Sequence, residues 1–153
     1  MRPAGRGELE SLYFDYQEYP FRVPAELGGN GPRHPVLIAG AGPVGLTAAL
    51  ALARLGVASV VIEKKNTVND GSRAICISRY SFETLQQLGV VAPFAAKGLG
   101  WTSGRCYFRD QLLYQFSMPH SEDECFLPMY NIQQQYIEQF LIDAAAEYPD
   151  LID

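Results

Sequence analysis

Between Pro35 and Lys64 apolar runs alternate with glycines in a pattern that predicts strand, turn, helix and strand. Val36-Leu37-Ile38-Ala39 is a continuous apolar run, which predicts a strand buried on both faces of a parallel sheet. Gly40, Gly42 and Gly45 follow as G-x-G-x-x-G. A helix is expected at once, with Pro43 near its start, where a missing N–H costs nothing. Val44, Ala48, Ala51, Leu52 and Leu55, with Thr47 on the same side, make its predicted apolar face. Gly56 stands where a left-handed C-terminal residue is wanted. Ser59-Val60-Val61-Ile62 is the second predicted strand, closed by Glu63. The two strands are expected parallel and adjacent in an incomplete three-layer α/β core.

The pattern then changes. Lys64 to Gly71 is a polar connection. Ser78 to Gly89 predicts a short helix, with Phe82, Leu85 and Leu88 along one face and Gly89 as its stop. Residues 90–130 break the α/β rhythm. There Cys106-Tyr107-Phe108 and Leu112 to Phe116 flank Arg109-Asp110-Gln111, which predicts a β-hairpin near residues 104–117, inside a hairpin region of 98–128. His120, beside Glu122, Asp123 and Glu124, has no second histidine nearby and reads as part of a solvated loop rather than a metal site. Tyr136, Ile137, Phe140, Leu141, Ala144, Ala145 and Tyr148 predict a last helix ended by Pro149. Asn131 is its expected N-cap and Gln134 its capping-box partner. Leu151-Ile152 looks like the opening of another strand. Residues 1–34 form an arm and linker ahead of the domain proper, 35–153. Tyr13, Phe14, Tyr16, Tyr19 and Phe21 give the arm an aromatic cluster, which suits packing on the domain or a partner subunit; a disordered tail is the alternative.

The glycine motif carries chemistry because each glycine has a separate task. Gly40 turns the chain off the strand, Gly42 lets backbone N–H groups meet a pyrophosphate, and Gly45 lets helix and strand pack closely. The diphosphate then sits on the positive end of the helix. Glu63 falls roughly 20 residues after the first glycine, where a carboxylate takes the ribose hydroxyls of an adenosine. A carboxylate there repels a 2′-phosphate, so the expected nucleotide is FAD or NAD and not NADP. The motif alone is weak; the strand before it, the helix after it, the second strand and the terminal acid are what point to dinucleotide binding. Arg73 and Arg79 flank the next segment, and a loop arginine is by default solvated.

Composition narrows the classes. A net charge of −5 in 153 residues, with no basic run, argues against nucleic acid and anionic membrane surfaces as partners. No apolar stretch has the length of a membrane-spanning helix, and the first twenty residues lack a hydrophobic signal core. Cys76, Cys106 and Cys125 are odd in number and lack zinc spacing, as expected of reduced thiols in a cytoplasmic protein.

Three blocks, VLIAGAGPVGLTAALALARLGVASVVIEK, GSRAICISRYSFETLQQLGV and NIQQQYIEQFL, carry a resemblance to the class A FAD-dependent aromatic hydroxylases, in particular to 3-(3-hydroxyphenyl)propionate hydroxylase-like enzymes. The resemblance covers residues 33–153 and implies a Rossmann-like FAD-binding βαβ core with a parallel sheet, incomplete, plus a β-hairpin insertion. It implies that the backbone of Gly40, Ala41, Gly42, Pro43 and Val44 holds the FAD pyrophosphate, with Gly45 counted in the same cofactor-binding motif. It also implies that Glu63, with Lys64 beside it, meets the adenosine ribose. Arg73 would contact the flavin nucleotide, and Gln134, the Gln of a Q-x-x-x-E helix, would lie against the ribityl chain. Arg79 stays open, as do the capping and ribityl roles of Gln134.

The implied reaction is hydroxylation of a phenol, with NADH or NADPH as the transient reductant and O2 as co-substrate. The family's second flavin motif, around a Gly-Asp, and most of its substrate sheet would lie beyond Asp153. The chain is therefore expected to be a fragment, or one piece that needs a C-terminal half or a second subunit, and no catalytic residue can be assigned in it. The competing readings are the NAD-binding module of a dehydrogenase and a non-catalytic dinucleotide-binding remnant.

Overall fold

The structure, a computed structural model, describes residues 14–24, 28–29, 31, 33–70 and 75–153. In chain order its elements are β1 (Leu37–Ala39), α1 (Pro43–Arg54), β2 (Val60–Ile62), β3 (Cys76–Ser78), α2 (Arg79–Gln87), α3 (Val91–Lys97), β4 (Leu99–Trp101), β5 (Ser103–Phe108), β6 (Gln111–Ser117), β7 (Met129–Asn131) and α4 (Gln134–Ala145). They fall into two compact units. The first comprises the described residues of Met1–Arg73 with Gln134–Asp153, and the second those of Ala74–Gln133.

The first unit is the predicted βαβ. β1 and β2 are parallel neighbours, with Leu37 opposite Val60 and Ala39 opposite Ile62. The chain end adds to the same sheet. Ser59 forms a parallel bridge with Ile152, and Val61 N donates to Asp153 O at 2.7 Å. Pro43 opens α1, and Gly56, at φ +72°, closes it. Gly56 N donates to Ala53 O and Val57 N to Leu52 O, each at 2.9 Å, the paired bonds of a glycine-terminated helix.

Two expectations for this unit need correction. The inward face of α1 is Leu46, Ala49, Leu50 and Ala53, whereas Val44 and Leu55 are 85% and 79% exposed and Ala48 is exposed too. The helix is apolar almost all round, so periodicity alone does not choose its face. Gly45 chooses it, because a Cβ there would lie 2.0 Å from the carbonyl oxygen of Gly40 and 3.2 Å from Ile38 Cγ2. Gly45, Ala49 and Ala53 then run down the packed side at i, i+4, i+8; Leu46 and Leu50 are buried beside them, and the helix packs on α4. Each such leucine contributes about 1.5–3 kcal/mol by leaving water.

The second correction concerns β1, which is not buried on both faces. In the parallel register Leu37, Ala39, Val60 and Ile62 share one face. Leu37 is 65% and Ile62 50% exposed, so the third layer is missing among the described residues.

The arm packs within this unit. Phe14 meets Tyr136 edge-on at 4.9 Å between centroids, and Tyr19 N donates to Asn66 O at 2.7 Å.

The second unit holds the antiparallel sheet β3-β7-β4 with α2 and α3. Ser78 caps α2, its hydroxyl accepting from Ser81 N, and Gly89 at φ +78° ends the helix. Phe82 is fully buried and stacks on Tyr130 at 3.9 Å. The predicted hairpin is β5-β6, turned at Arg109-Asp110, with Arg109 at φ +54°. The ring of Phe116 covers Gly104, where a Cβ would lie 2.5 Å from it.

Asn131 is not the N-cap of α4. It ends β7, and its Oδ1 accepts from Trp101 Nε1 at 2.9 Å. The cross-strand indole outcompetes a local cap, and α4 begins at Gln134.

Gly45→Ala should destabilise the fold by about 2–4 kcal/mol, the scale of overpacking against immobile backbone. Urea denaturation checks this, and an unchanged midpoint would contradict the packing described for α1.

Candidate functional site

The site is built at the carboxyl end of β1. Gly40 leaves the strand at φ +107°, a conformation open to glycine and strained for any L side chain. Its N–H donates to Ile62 O at 2.7 Å, which ties the turn to the end of β2. Gly42 is the N-cap of α1 with extended backbone (φ −80°, ψ −179°), and a Cβ there would meet nothing within 4 Å. The helix start has no side-chain cap and no acidic residue in its first turn. Its positive end therefore faces open space beside Gly42, as an anion-binding helix start requires. Pro43 is the first helical residue, Val44 is exposed on the first turn, and Gly45 is spent on packing.

Glu63 reaches this turn from the end of β2. Its Oε2 accepts from Ala41 N at 3.0 Å, and its Oε1 accepts from Lys64 N at 2.9 Å and Lys65 N at 3.1 Å. Burial pushes the carboxyl pKa up, but the N–H groups of Ala41, Lys65 and Lys64 and the charge of Lys65 outweigh it and hold the group below the ordinary glutamate value. The glutamate is thus an ionised acceptor at neutral pH, fixed at the lip of the glycine turn.

A cleft of about 530 Å³ brings the sequence-predicted residues Ala41, Gly42, Glu63, Lys64 and Gln134 together. That size suits a nucleotide-type ligand. Arg73 lies outside the described residues.

Gln134 lines the cleft from the first residue of α4, not from the third helical position that a capping-box partner takes; its Nε2 donates to Glu138 Oε1 at 2.7 Å. Glu138, which pattern reading missed, is only 6% exposed and also accepts from Asn69 N at 2.6 Å. It ties the loop after β2 to α4. Its position beside Ile137 on the helix's apolar face hid it, although the i, i+4 spacing from Gln134 was a usable signal.

Arg79 has a different task. It ion-pairs with Glu124, and its Nε donates to Phe126 O at 3.0 Å and its Nη2 to Pro119 O at 3.3 Å. His120 Nδ1 lies 3.2 Å from the same guanidinium and 3.1 Å from Glu124 Oε2. The 119–126 loop is thus exposed along most of its length, as its polarity suggests, and is pinned at Pro119, Glu124 and Phe126 by an arginine from α2.

Because the folded state holds Glu63 below its ordinary pKa, its contribution to stability is complete above the unfolded value. That contribution is lost as pH falls through the lowered folded one. Glu63→Gln should therefore reduce the acid-side loss of stability. Thermal midpoints between neutral and acid pH check this, and parallel profiles for variant and parent would contradict it.

Residues 33–152 match the model of the family described as FAD binding domain. The 3-(3-hydroxy-phenyl)propionate/3-hydroxycinnamic acid hydroxylase of Klebsiella pneumoniae (strain 342) is 38% identical over 79 residues, which is 47% of this chain and 14% of that protein. The protein of the same name from Escherichia coli matches to the same extent. Among solved structures, the flavin-dependent monooxygenase PieE in complex with FAD and substrate superposes with a TM-score of 0.67 at 25% identity, over 79% of this chain and 23% of that one. The fold of p-nitrophenol 4-monooxygenase PnpA from Pseudomonas putida DLL-E4 is also similar, with a TM-score of 0.68 at 20% identity over 78% and 31%. The chain spans less than a third of each of these proteins. With the matched stretch taking in the glycine turn, Glu63 and Gln134, and with the fold in agreement, this chain belongs to the FAD binding domain family.

Proposed function

We propose that this chain is the FAD-binding portion of an NAD(P)H-dependent flavoprotein monooxygenase that hydroxylates a phenolic substrate. The observation that carries the proposal is the convergence of Gly42, Glu63 and Gln134 on one cleft. The residues fit the adenosine diphosphate half of FAD. Gly42 leaves the diphosphate side open, the uncapped start of α1 supplies N–H groups, and the Glu63 carboxylate offers acceptors to ribose hydroxyls. Lys64 and Lys65 follow Glu63 and also line the cleft. Gln134, its amide nitrogen held by Glu138, is the residue we assign to the ribityl chain, and Arg73 we assign to the flavin nucleotide on resemblance.

When bound, the flavin supplies the redox chemistry, taking electrons from NADH or NADPH and passing one oxygen of O2 to the ring. This chain's part is to bind and orient the nucleotide half. A phenolic substrate is supported by the names of the hydroxylase relatives, and the assignment belongs to a whole protein of the relatives' length. A C-terminal half or second subunit would cover the ring and hold the substrate; without it, we expect residues 1–153 to release hydrogen peroxide rather than a hydroxylated phenol. Three unpaired cysteines support a reducing, cytoplasmic setting, and among the described residues no helix is long and apolar enough to cross a membrane.

Gly42→Val should abolish FAD binding and leave the fold intact, since φ −80° suits any residue and the new side chain points only into the ligand space. Flavin fluorescence quenching checks the first part and circular dichroism the second. A valine variant that binds FAD like the parent would overturn the site. Glu63→Ala should weaken binding by about 1–3 kcal/mol, the scale of charge-assisted hydrogen bonds, as read by titration calorimetry. Unchanged affinity would leave Glu63 as a brace for the turn alone.

A further inference from the structure

We propose that the arm ahead of β1 is part of the nucleotide cleft, with the ring of Tyr19 forming an aromatic wall for the adenosine portion of the ligand. This rests on the dinucleotide reading of the cleft and adds a residue to it. The family match begins at residue 33, so Tyr19 comes from chain that the family model does not include.

Three observations place the ring. Tyr19 lines the same cleft as Gly42, Glu63 and Lys64. Its backbone N–H donates to Asn66 O at 2.7 Å, three residues beyond the carboxylate assigned to the ribose. Its phenol oxygen accepts from Gln139 Nε2, on α4, at 2.8 Å. The residue is therefore held at both ends, by the loop after β2 and by α4.

The arm around it is anchored as well. Phe14 packs edge-on against Tyr136 at 4.9 Å and against Tyr16 at 4.8 Å. The Tyr16 phenol is raised above its ordinary pKa by burial, then by Asp70 and Tyr136, as expected of an arm seated on the domain.

With the hydroxyl engaged by Gln139, what Tyr19 offers a ligand is its apolar ring. A flat, apolar, pre-positioned surface beside a ribose-binding carboxylate suits a purine nucleoside. Because the ring is already ordered, little freedom is lost when the ligand binds. The arm would then tighten binding of the half of the cofactor that the βαβ unit holds, without entering the chemistry.

The test is calorimetric titration of the full chain with ADP and with FAD, using Tyr19→Ala, Tyr19→Leu and Tyr19→Phe. Tyr19→Ala and Tyr19→Leu should each lose about threefold to tenfold in affinity for both ligands, the range of an aromatic contact. Tyr19→Phe, which keeps the ring and loses the hydroxyl, should stay within about twofold of the parent. Thermal midpoints without nucleotide control for folding, and the leucine variant keeps apolar bulk where alanine unseats the arm.

Three results would overturn the proposal. One is parent-like ADP affinity in both Tyr19→Ala and Tyr19→Leu. Another is a fall in Tyr19→Phe as large as in Tyr19→Ala, which would make the hydroxyl tether the active element. The third is a loss for FAD with none for ADP, which would put the ring against the flavin half. A parent chain that binds neither ligand would instead remove the dinucleotide reading itself, and the wall with it.

Discussion

The close approach of α1 to β1 at Gly45 is the constraint on which the first unit depends. A single added carbon would sit 2.0 Å from the Gly40 carbonyl oxygen, so helix and strand meet with no side chain between them. That contact sets the rotation of α1, which sends Leu46 and Leu50 inward and turns Val44 out. It also fixes where the helix begins, beside the glycine turn and at the lip of β2. Glu63 can then reach Ala41 N, and the uncapped helix start opens into the cleft. Gly42 and Gly45 are thus separable: one leaves room for a ligand, the other leaves room for the fold.

Much of this was legible in the residues, because local chemistry and tertiary structure agree there. The glycine turn, Pro43, the glycine stops of α1 and α2 and the hairpin around Arg109-Asp110 each follow from backbone preferences that tertiary packing reinforces. The misses share a different cause. The face of α1 could not be read from a helix apolar on nearly every side. Asn131 has the right chemistry for a cap and the wrong neighbours, since Trp101 claims its oxygen from an adjacent strand. Glu138 and Arg79 are charged residues whose partners lie far along the chain, at Asn69 and Glu124, and no local pattern announces such pairings.

The two carboxylates of the cleft show how environment divides labour. Glu63 is exposed at the rim, stabilised as an anion by three backbone N–H groups, and can face a ligand. Glu138 is buried and spends its oxygens on Asn69 and Gln134. It fixes the loop that carries Lys65 and Asn69 against α4, and it sets the orientation of the Gln134 amide nitrogen. One acid belongs to recognition and the other to the frame that positions it, and removing the second leaves a buried donor unpaired.

The most direct test of the central claim is a residue-resolved one. Amide chemical shifts of isotope-labelled protein are followed by nuclear magnetic resonance during titration with ADP. If the glycine turn and the start of α1 hold a diphosphate and Glu63 holds a ribose, the shifts will concentrate at Ala41, Gly42, Val44, Gly45, Glu63 and Lys64. Shifts confined to residues 75–133, or saturation with no change at the glycine turn, would contradict the assignment of this cleft as the dinucleotide site.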